Sequence, residues 1–356
     1  MRSLPPQPGT SPPVRLGSLS LDTPVLAAPI AGFTDTIFRQ MVRDLGGCGL
    51  IFTEMVWAGG WVQGKIEPER LDGVADESRP LGVQLWDRDA AMIREAAARL
   101  ADLDVSLIDL NFGCPKKRIM GRHAAGATLL RDPATIGRLV AAAVDGAGTV
   151  PVTAKIRLGP SVDARTAPDV ARSIEANGGV AVTVHGRAAD QHYGEPCHLE
   201  MIAEVVRAVS IPVIANGDIR DAASALHTLR TTGAAGVMVA RAALTRPWVF
   251  REITTALRGG ALASPPTLAE QKALLLKHHA ALVARVGDPR GTILMRKFAC
   301  RYVAGAPGTH AFRDAVSRAV DGDDFQDIVE RLFPTVDDDG AADGAADAAF
   351  DEPACA

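Results

Sequence analysis

The sequence predicts an α/β fold, a (β/α)8 TIM barrel followed by a C-terminal all-helical domain. Three observations favour it. Short apolar runs with the composition of strands recur from Val25 onward at intervals of roughly 30 residues. Segments rich in Ala, Leu and Arg, with helical spacing, separate these runs. From about Ser264 the alternation stops, and only amphipathic helical segments follow.

Eight runs are predicted to be strands, since each is short and apolar, as is typical of strands covered on both faces. In chain order they are Val25–Ile30, Leu50–Met55, Leu81–Trp86, Leu107–Phe112, Val152–Arg157, Val180–His185, Val213–Asn216 and Gly236–Ala240. A doubly wound open sheet is the alternative architecture. It rarely uses so many regular units, and the sequence contains no GxGxxG motif.

The segments between the strands include two clear helices, Ala90–Leu103 and Pro133–Val144. The second opens with Asp132-Pro133, a favourable N-cap and first-position pair. We expect residues 16–260 to form the barrel and residues 264–335 to form the helical domain. The predicted helices of that domain are Leu268–Val286, Thr292–Val303, Ala311–Ala319 and Phe325–Phe333.

The two ends of the chain are predicted to be disordered. Residues 1–15 are rich in proline and lack the apolar core of a signal peptide, and residues 336–356 consist largely of Ala, Gly and Asp. No apolar run reaches the ~18 residues of a membrane span. The five cysteines include no CxxC pair, so no disulfide framework and no metal site are indicated. This pattern favours a cytoplasmic protein with no membrane partner.

The charge is unevenly distributed along the chain. The net charge is −4, but residues 337–356 carry seven acids and no Lys or Arg, so the remainder is at +3. Residues 270–318 alone hold nine Lys and Arg against three acids. A solvated helical surface is the simple interpretation of such a run, but the one-sided excess favours an anionic partner of the helical domain.

The fourth predicted strand ends in a candidate catalytic thiol. Gly113 frees the backbone and Pro115 stops the strand, so Cys114 lies at a strand end, followed by Lys116 and Lys117. In α/β proteins chemistry is usually done there. For a lone cysteine, a buried thiol in a tight turn is the alternative interpretation.

Polar residues follow most of the other strands as well, on the face of a barrel where functional groups collect. They are Glu54, Gln84, Asn111, Lys155, Arg157, His185, Arg187, Asn216, Asp218 and Arg241. The ends of strands seven and eight commonly hold a phosphate, and here Gly217 allows close backbone approach while Arg241 supplies a bidentate charge. Lys155 and His185 could reach the same ligand. This set suits one phosphate and one ring, which favours flavin mononucleotide (FMN) over a dinucleotide.

The remaining strand ends fit the ring of such a cofactor. Pro29-Ile30-Ala31 could pack against a flat ring through backbone amides and one apolar side chain. Gln84 could offer its amide to a pyrimidine-like edge, and Lys155 could stabilise the negative charge of a reduced flavin.

Several of these stretches resemble the motifs of the tRNA-dihydrouridine synthases. The matching motifs are Ala28-Pro29-Ile30-Ala31-Gly32-Phe33-Thr34-Asp35, Val83-Gln84-Leu85, Asn111-Phe112-Gly113-Cys114-Pro115, Lys155-Ile156-Arg157, Val184-His185-Gly186-Arg187 and Ala215-Asn216-Gly217-Asp218-Ile219. Met295-Arg296-Lys297 resembles the C-terminal domain of that family. The resemblance covers about residues 16–333, and the combination is far more specific than any single motif.

The resemblance implies an FMN-dependent oxidoreductase that reduces the C5–C6 double bond of selected uridines in tRNA, with NADPH or NADH as reductant. In the family, hydride passes from flavin N5 to C6 of the uracil and a cysteine, here Cys114, donates a proton to C5. The positions that match flavin contacts are Pro29, Ile30, Ala31, Gln84, Lys155, His185, Asn216, Gly217, Asp218, Ala240 and Arg241. Substrate contacts are implied for Asn111 and Arg187. The family is often monomeric, with no obligatory protein partner.

Elementary chemistry agrees with these roles. A thiol with a pKa near ~8.5 is largely protonated at neutral pH, as a proton donor must be. Since nearby lysines would lower that pKa, we expect Lys116 and Lys117 to point away from Cys114, toward phosphates of the RNA. The base must be flipped out of the stack, and the helical domain, with Arg296 and Lys297, would hold the RNA backbone.

The chain departs from the family in three places. Ile30 replaces the usual methionine, and Ala240 replaces the usual glycine. The loop from Lys116 to Gly126, with Arg118, Arg122 and His123, matches less closely, and we expect it to be a mobile lid over the substrate. Two other functions stay open: an FMN barrel oxidoreductase acting on a small molecule, which needs no basic domain, and a non-catalytic RNA-binding protein.

Overall fold

The computed structural model confirms the parallel barrel and describes residues 13–66, 69–303 and 309–334. The chain divides into two compact units. The first contains the chain up to Ala240 together with Trp248–Ala261, and the second contains Arg241–Pro247 and the chain from Leu262 onward. The acidic tail predicted for residues 336–356 lies outside the described residues.

The barrel belongs to the first unit, and its strands match the predicted runs closely. They are β3 (Val25–Ala27), β4 (Ile51–Phe52), β5 (Val56–Trp57), β6 (Leu81–Trp86), β7 (Leu107–Asn111), β8 (Val152–Arg157), β9 (Ala181–His185), β10 (Val213–Asn216) and β11 (Gly236–Val239). The predicted second strand, Leu50–Met55, is the exception. Only β4 lies within that run, and β5 follows it; both strands pair with β6.

All neighbouring barrel strands are parallel, in the order β3-β11-β10-β9-β8-β7-β6-β4. A parallel bridge between Leu26 and Leu50 joins the two ends of this path. The Ala27 amide donates to the Leu50 carbonyl at 2.9 Å, and the Gly49 amide donates to the Val25 carbonyl at 2.8 Å. The doubly wound alternative is therefore excluded, because the first and last strands of an open sheet do not meet.

A short antiparallel hairpin precedes the barrel and was not predicted. Its strands are β1 (Val14–Leu16) and β2 (Leu19–Leu21). Leu16 and Leu21 pack into the same buried cluster as Leu26 of β3. A Cβ at Gly17, in the turn, would lie 3.1 Å from Val180, just before β9, so the hairpin lies at the amino end of the strands. Since Val14 and Arg15 are in a strand, the predicted disordered leader of residues 1–15 extends too far.

Helices of the first unit follow the strands and cover the barrel. They are α1 (Thr36–Leu45), α2 (Ala58–Val62), α3 (Ala90–Asp102), α4 (Pro133–Ala147), α5 (Ala167–Ala176), α6 (Leu199–Ala208), α7 (Ala222–Thr232) and α9 (Val249–Leu257). The predicted cap of α4 is present, since the Asp132 carboxylate accepts from the Thr135 amide at 3.0 Å. Ile136, Leu139 and Val140 form the buried stripe of that helix.

The second unit is helical throughout its described part. It contains α8 (Ala242–Thr245), α10 (Leu268–Val286), α11 (Arg290–Tyr302), α12 (His310–Val316) and α13 (Gly322–Leu332). Thr267 and Glu270 form a capping box that starts α10 at the predicted residue. His279 packs on Phe325 and bonds Thr292 at 2.8 Å, which links α10 to both α13 and α11. Within the described ranges, no helix combines the length and apolar character that crossing a bilayer requires.

Candidate active site

The parallel register brings the predicted polar residues to one rim of the barrel. Asn111, the last residue of β7, lies opposite Lys155 of β8. Likewise His185, the last residue of β9, lies opposite Asn216, the last residue of β10. Because neighbouring strands end together, side chains that are distant in sequence form a single polar surface at the carboxyl end of the sheet.

Cys114 is held in a turn that is built by Asn111. The Asn111 Oδ1 atom accepts from the Gly113 amide at 3.1 Å and from the Cys114 amide at 2.9 Å. An Asn side chain that bonds backbone amides two and three residues later fixes a turn directly after a strand. On the other side, the Ala127 amide donates to the Cys114 carbonyl at 3.1 Å. The cysteine backbone is thus anchored both before and after the thiol.

A chain of buried hydrogen bonds connects this turn to the barrel interior. Asn111 Nδ2 donates to Gln84 Oε1 at 2.7 Å, and Gln84 Nε2 donates to Asp109 Oδ2 at 2.7 Å. The Thr153 hydroxyl donates to Asp109 Oδ1 at the same distance. Burial raises the pKa of Asp109 to about 6, against the opposing effects of the Gln84 and Thr153 hydrogen bonds and the charge of Lys155. Asp109 was not among the predicted site residues, because it lies inside the apolar run of its strand.

These contacts restrict what two predicted ligand-binding residues can do. Gln84 is buried and both ends of its amide already have protein partners, which leaves one N–H and one lone pair for a cofactor. Asn111 uses its oxygen for the turn and one N–H for Gln84. Both residues therefore shape the site whether or not they also contact a ligand.

Lys155 supplies a half-buried positive charge at the rim. Its Nζ donates to Asn216 Oδ1 at 2.9 Å, and Asn216 Nδ2 donates in turn to the Met238 carbonyl at 2.8 Å. Burial, followed by the neighbouring charge of Arg157, lowers the pKa of Lys155 to about 8. An ammonium held at this position would be stabilised further by a bound anion.

Arg187 is a buried brace of the rim, and its expected contact with substrate stays a prediction. Its side chain is 1% exposed, and it pairs with Asp218 at 2.7 Å. The same guanidinium donates to the backbone carbonyls of Tyr193 and Glu195 and lies 3.4 Å from His185 Nε2. Since its nitrogens face protein acceptors, Arg187 holds the loop after β9 in place.

That loop brings in Tyr193, which the sequence did not single out. Its ring stacks on His185 with the centroids 6.0 Å apart, and the Arg157 guanidinium lies 5.6 Å from the centroid of the tyrosine ring. Tyr193 is 42% exposed, so an aromatic face beside the buried cations reaches solvent. No strand pattern marks this residue, and only the geometry of the loop places it at the site.

The turns after β3 and β10 provide backbone surfaces for a ligand. Pro29, Ile30 and Ala31 are half-buried, and the Gly32 amide, at a positive φ of 84°, donates to the Glu54 carboxylate at 2.7 Å. At Gly217, φ is 122°, and a Cβ there would lie 2.6 Å from Cys197 Sγ. Only glycine fits this position.

The thiol of Cys114 is half-buried in an apolar setting. Burial raises its pKa above the ordinary value, although Lys116, Arg157 and Lys155 act in the opposite direction. The charge of Lys116 is one of the effects that lower this pKa, and the direction of its exposed side chain stays a prediction. Burial outweighs these effects, and the thiol stays protonated at neutral pH.

The loop that follows Cys114 is packed against the rim. It forms a π-helical turn over Arg118–Arg122, and Ile119 is buried against Trp86 and Ala125. Lys116, Lys117, Arg118 and Arg122 are exposed. The loop thus presents a basic outer surface and an apolar inner one.

The predicted residues of the second unit have local partners. Arg241 is the N-cap residue of α8, directly after the chain leaves β11. Arg296 donates through Nε and NH2 to the Ala319 carbonyl at 2.9 and 2.7 Å, and Lys297 Nζ lies 5.3 Å from the centroid of the Phe298 ring. A role for these three cations in binding phosphate or RNA stays a prediction. The described residues contain no cluster of His, Cys, Asp and Glu that could hold a metal ion.

The fold and this rim define a barrel with a cation-rich site and a protonated thiol. The family model for dihydrouridine synthase (Dus) matches residues 25–336. The tRNA-dihydrouridine synthase B of Xanthomonas axonopodis pv. citri is 39% identical over 306 residues, covering 86% of this chain and 91% of that protein. A probable tRNA-dihydrouridine synthase of Rhodobacter capsulatus is 40% identical over 314 residues, covering 86% of this chain and 94% of that protein. The chain therefore belongs to the dihydrouridine synthase family, which is a family of oxidoreductases.

A comparison of structures supports the barrel independently. A variant of NCR from Zymomonas mobilis superposes with a TM-score of 0.53 and covers 72% of this chain and 94% of that chain. The sequences are only 14% identical, so this similarity shows the fold alone.

Proposed function

We propose that this protein reduces the C5–C6 double bond of specific uridines in tRNA, with FMN as cofactor and NADPH or NADH as the reductant. The observation that carries the proposal is the Cys114 thiol, whose pKa burial raises, held in a fixed turn on the same rim as the half-buried ammonium of Lys155. An acid and a cation on one rim can protonate a carbon and stabilise the negative charge that develops nearby.

The rim fits a flavin mononucleotide on three counts. The half-buried turn at Pro29–Ala31 offers an edge of backbone and apolar atoms for a flat ring. Lys155 and Asn216 offer a cationic and an amide group where the polar edge of the ring would need them. Gly217 leaves the backbone open to a phosphate, and Asp218, whose carboxylate is paired with Arg187, can contribute only its amide there.

The remaining contacts of the cofactor are assigned from the family motifs. His185, Ala240 and Arg241 would complete the set that holds FMN, together with Ile30 and Gln84. Ile30 and Ala240 are half-buried and pack against the interior cluster of the barrel, so we assign their backbones to the ligand. When bound, FMN supplies the hydride that C6 of the uracil receives.

The chemical work of the protein itself then falls to a few residues. Cys114 donates its Sγ proton to C5, and the Asn111 turn sets the direction of that thiol. Lys155 holds its proton at Nζ and so balances negative charge during the reaction. Tyr193 and the basic outer surface of the loop at Lys116 and Lys117 lie where the RNA around a flipped base would pass.

We assign the second unit to the RNA backbone. Its excess of Lys and Arg over acids in residues 270–318 suits nonspecific binding of phosphates, and Arg296 and Lys297 lie in that stretch. Residues 264–335 would thus be the tRNA-binding domain, after a catalytic domain of residues 16–260. In keeping with the family, we place the reaction in the cytoplasm and propose that the chain acts as a monomer.

Incubation of the purified holoenzyme with NADPH and unmodified tRNA tests this function. We expect dihydrouridine to form with wild type and not with Cys114→Ala, while the visible flavin spectrum stays the same in both. Cys197→Ala, which removes a second half-buried thiol from the same rim, is the matched control and should remain active. Wild-type turnover of a free pyrimidine or an enone, without dihydrouridine in tRNA, would instead identify a small-molecule oxidoreductase.

A further inference from the structure

Three aromatic side chains meet at the rim beside Cys114. The Trp57 and Trp86 rings are stacked, with centroids 5.9 Å apart and planes at 20°. His123 meets both rings edge-on, at centroid distances of 4.8 Å from Trp57 and 5.0 Å from Trp86. Edge-to-face contacts of this kind add a favourable term beyond the burial of apolar area.

These rings come from two different parts of the molecule. Trp57 ends β5 and Trp86 ends β6, and the two residues are partners in the parallel register. His123, by contrast, follows the π-helical turn at Arg118–Arg122 in the loop after Cys114. The imidazole therefore joins a loop to the end of two barrel strands.

The same cluster continues inward to the thiol. Trp86, Ile119 and Ala125 form a buried apolar cluster, against which Cys114 and Trp57 pack. The Ile119 carbonyl accepts a hydrogen bond from the Ala125 amide at 3.2 Å, and this bond connects the two sides of the loop on either side of His123. Movement of His123 away from the tryptophans would thus open the apolar wall that surrounds the Cys114 side chain.

The backbone of α2 leaves room for the Trp57 ring. A Cβ at Gly60 would lie 2.3 Å from an atom of the Trp57 ring, so the tryptophan occupies the space that a side chain there would need. The Gly59 amide donates to Asp87 at 2.7 Å, which ties α2 to the residue after Trp86. The backbone around both rings is held in place, and His123 is the part of the cluster carried by the loop.

We propose that Trp57, Trp86 and His123 form an aromatic clamp that holds the loop of residues 116–126 against the barrel rim and so positions the Cys114 thiol. The role of Cys114 as proton donor rests on the proposed function, but the clamp itself does not. The clamp residues are positioning residues, since they act on the reacting thiol through Ile119 and Ala125. This replaces the mobile lid that the sequence suggested with a loop that is fastened at a defined point.

The accessibility of the Cys114 thiol tests the clamp without relying on activity. We would treat the holoenzyme with iodoacetamide at several pH values and follow alkylation of the Cys114 peptide by mass spectrometry. In His123→Ala the rate should rise about tenfold, the shift in an open-to-closed equilibrium that two edge-on ring contacts would supply. His123→Phe keeps a ring at this position and should restore a rate near that of wild type.

A glycine variant beside Trp57, with a matched control in the loop, provides a second test of the clamp. Gly60→Ala should displace Trp57 and raise the alkylation rate as His123→Ala does. Gly121→Ala is its matched control in the loop, because a Cβ there would meet no atom of the described chain within 4 Å, and its rate should equal that of wild type. Equal Cys114 alkylation in wild type, His123→Ala and Gly60→Ala would overturn the clamp. Absence of dihydrouridine with wild type, alongside faster alkylation in the variants, would instead overturn only the proposed reaction.

Discussion

Asn111 Oδ1 accepts a hydrogen bond from the backbone N–H of Cys114 at 2.9 Å, and Asn111 Nδ2 donates a hydrogen bond to Gln84 Oε1 at 2.7 Å. One residue thus links the turn that carries the thiol to the buried polar chain of the barrel. The direction of the thiol is set by the strand β7 that ends at Asn111 and not by the loop alone.

This link predicts the effect of removing the Asn111 side chain. Asn111→Ala should lower kcat about 100-fold, because displacing a reacting group by about 1 Å can reduce the rate by that factor. The flavin spectrum should be unchanged if Asn111 acts on the turn. Single-turnover formation of dihydrouridine is the measurement, and a variant with normal kcat but raised KM would show that Asn111 contacts substrate without holding the turn.

The half-buried ammonium of Lys155 predicts an alkaline limit to activity. Its pKa is lowered to about 8, whereas the pKa of Cys114 is raised, so the lysine loses its proton first as pH rises. The rate constant kcat/KM should therefore fall above about pH 8, and Lys155→Met should abolish that limb at a lower overall rate. A limb that persists in Lys155→Met would assign the titration to another group.

The raised pKa of Asp109 predicts that the free energy of unfolding depends on pH. Its pKa of about 6 lies above the value of about 4 for an unfolded chain, so the native state binds the proton more tightly. The contribution of this group to stability is present below about pH 4 and is lost as pH rises through 6. In Asp109→Asn the amide oxygen can still accept from Gln84 Nε2, and the amide nitrogen can donate to the Thr153 hydroxyl, which then accepts, so both bonds are kept without the charge. The variant should gain up to about 2 kcal/mol over wild type at pH 8 and little at pH 4.

Denaturant unfolding at the two pH values measures this difference. The control variant is Asp145→Asn, which removes an exposed carboxylate paired with Arg94 and leaves the buried hydrogen bonds at Asp109 untouched. A constant difference between wild type and Asp109→Asn at both pH values would contradict a raised pKa at Asp109.

Arg187 predicts loss of stability where a substrate contact would predict loss of affinity. Arg187→Gln removes a buried charge that pairs with Asp218 and holds two backbone carbonyls. Because Asp218 is partly exposed, we expect a loss of about 2 kcal/mol, less than for a fully buried pair. Thermal unfolding measures it. An unchanged Tm together with a raised KM for tRNA would show that Arg187 contacts the substrate and does not stabilise the fold.

Much of this architecture was predictable because buried parallel strands have a strong local signature. Leu81–Trp86 and Val152–Arg157 begin and end as predicted. Each is a short run rich in buried apolar residues, and turn-forming residues (Pro, Gly or Asp) lie on both sides of it. The hairpin at β1 and β2 was missed because three-residue strands beside a proline-rich segment have no periodicity to detect.

The strand pattern predicted which polar residues lie at the rim, but it did not predict the contacts between them. A strand end indicates that Asn111 and Arg187 lie at the rim, yet the direction of a side chain is decided by partners such as Asp218 and Gln84, which are distant in sequence. Tyr193 and the packing of His123 on the two tryptophans were not predicted, because aromatic packing between a loop and two strands leaves no mark in a single sequence.

Dihydrouridine mapped by position in cellular tRNA tests the central claim most directly. Strains would lack the gene, or carry it as wild type or as Cys114→Ala. We predict that one or more positions lose dihydrouridine on deletion, regain it with wild type, and stay unmodified with the variant. Full modification at every position in the deletion strain, with no second synthase present, would contradict the account.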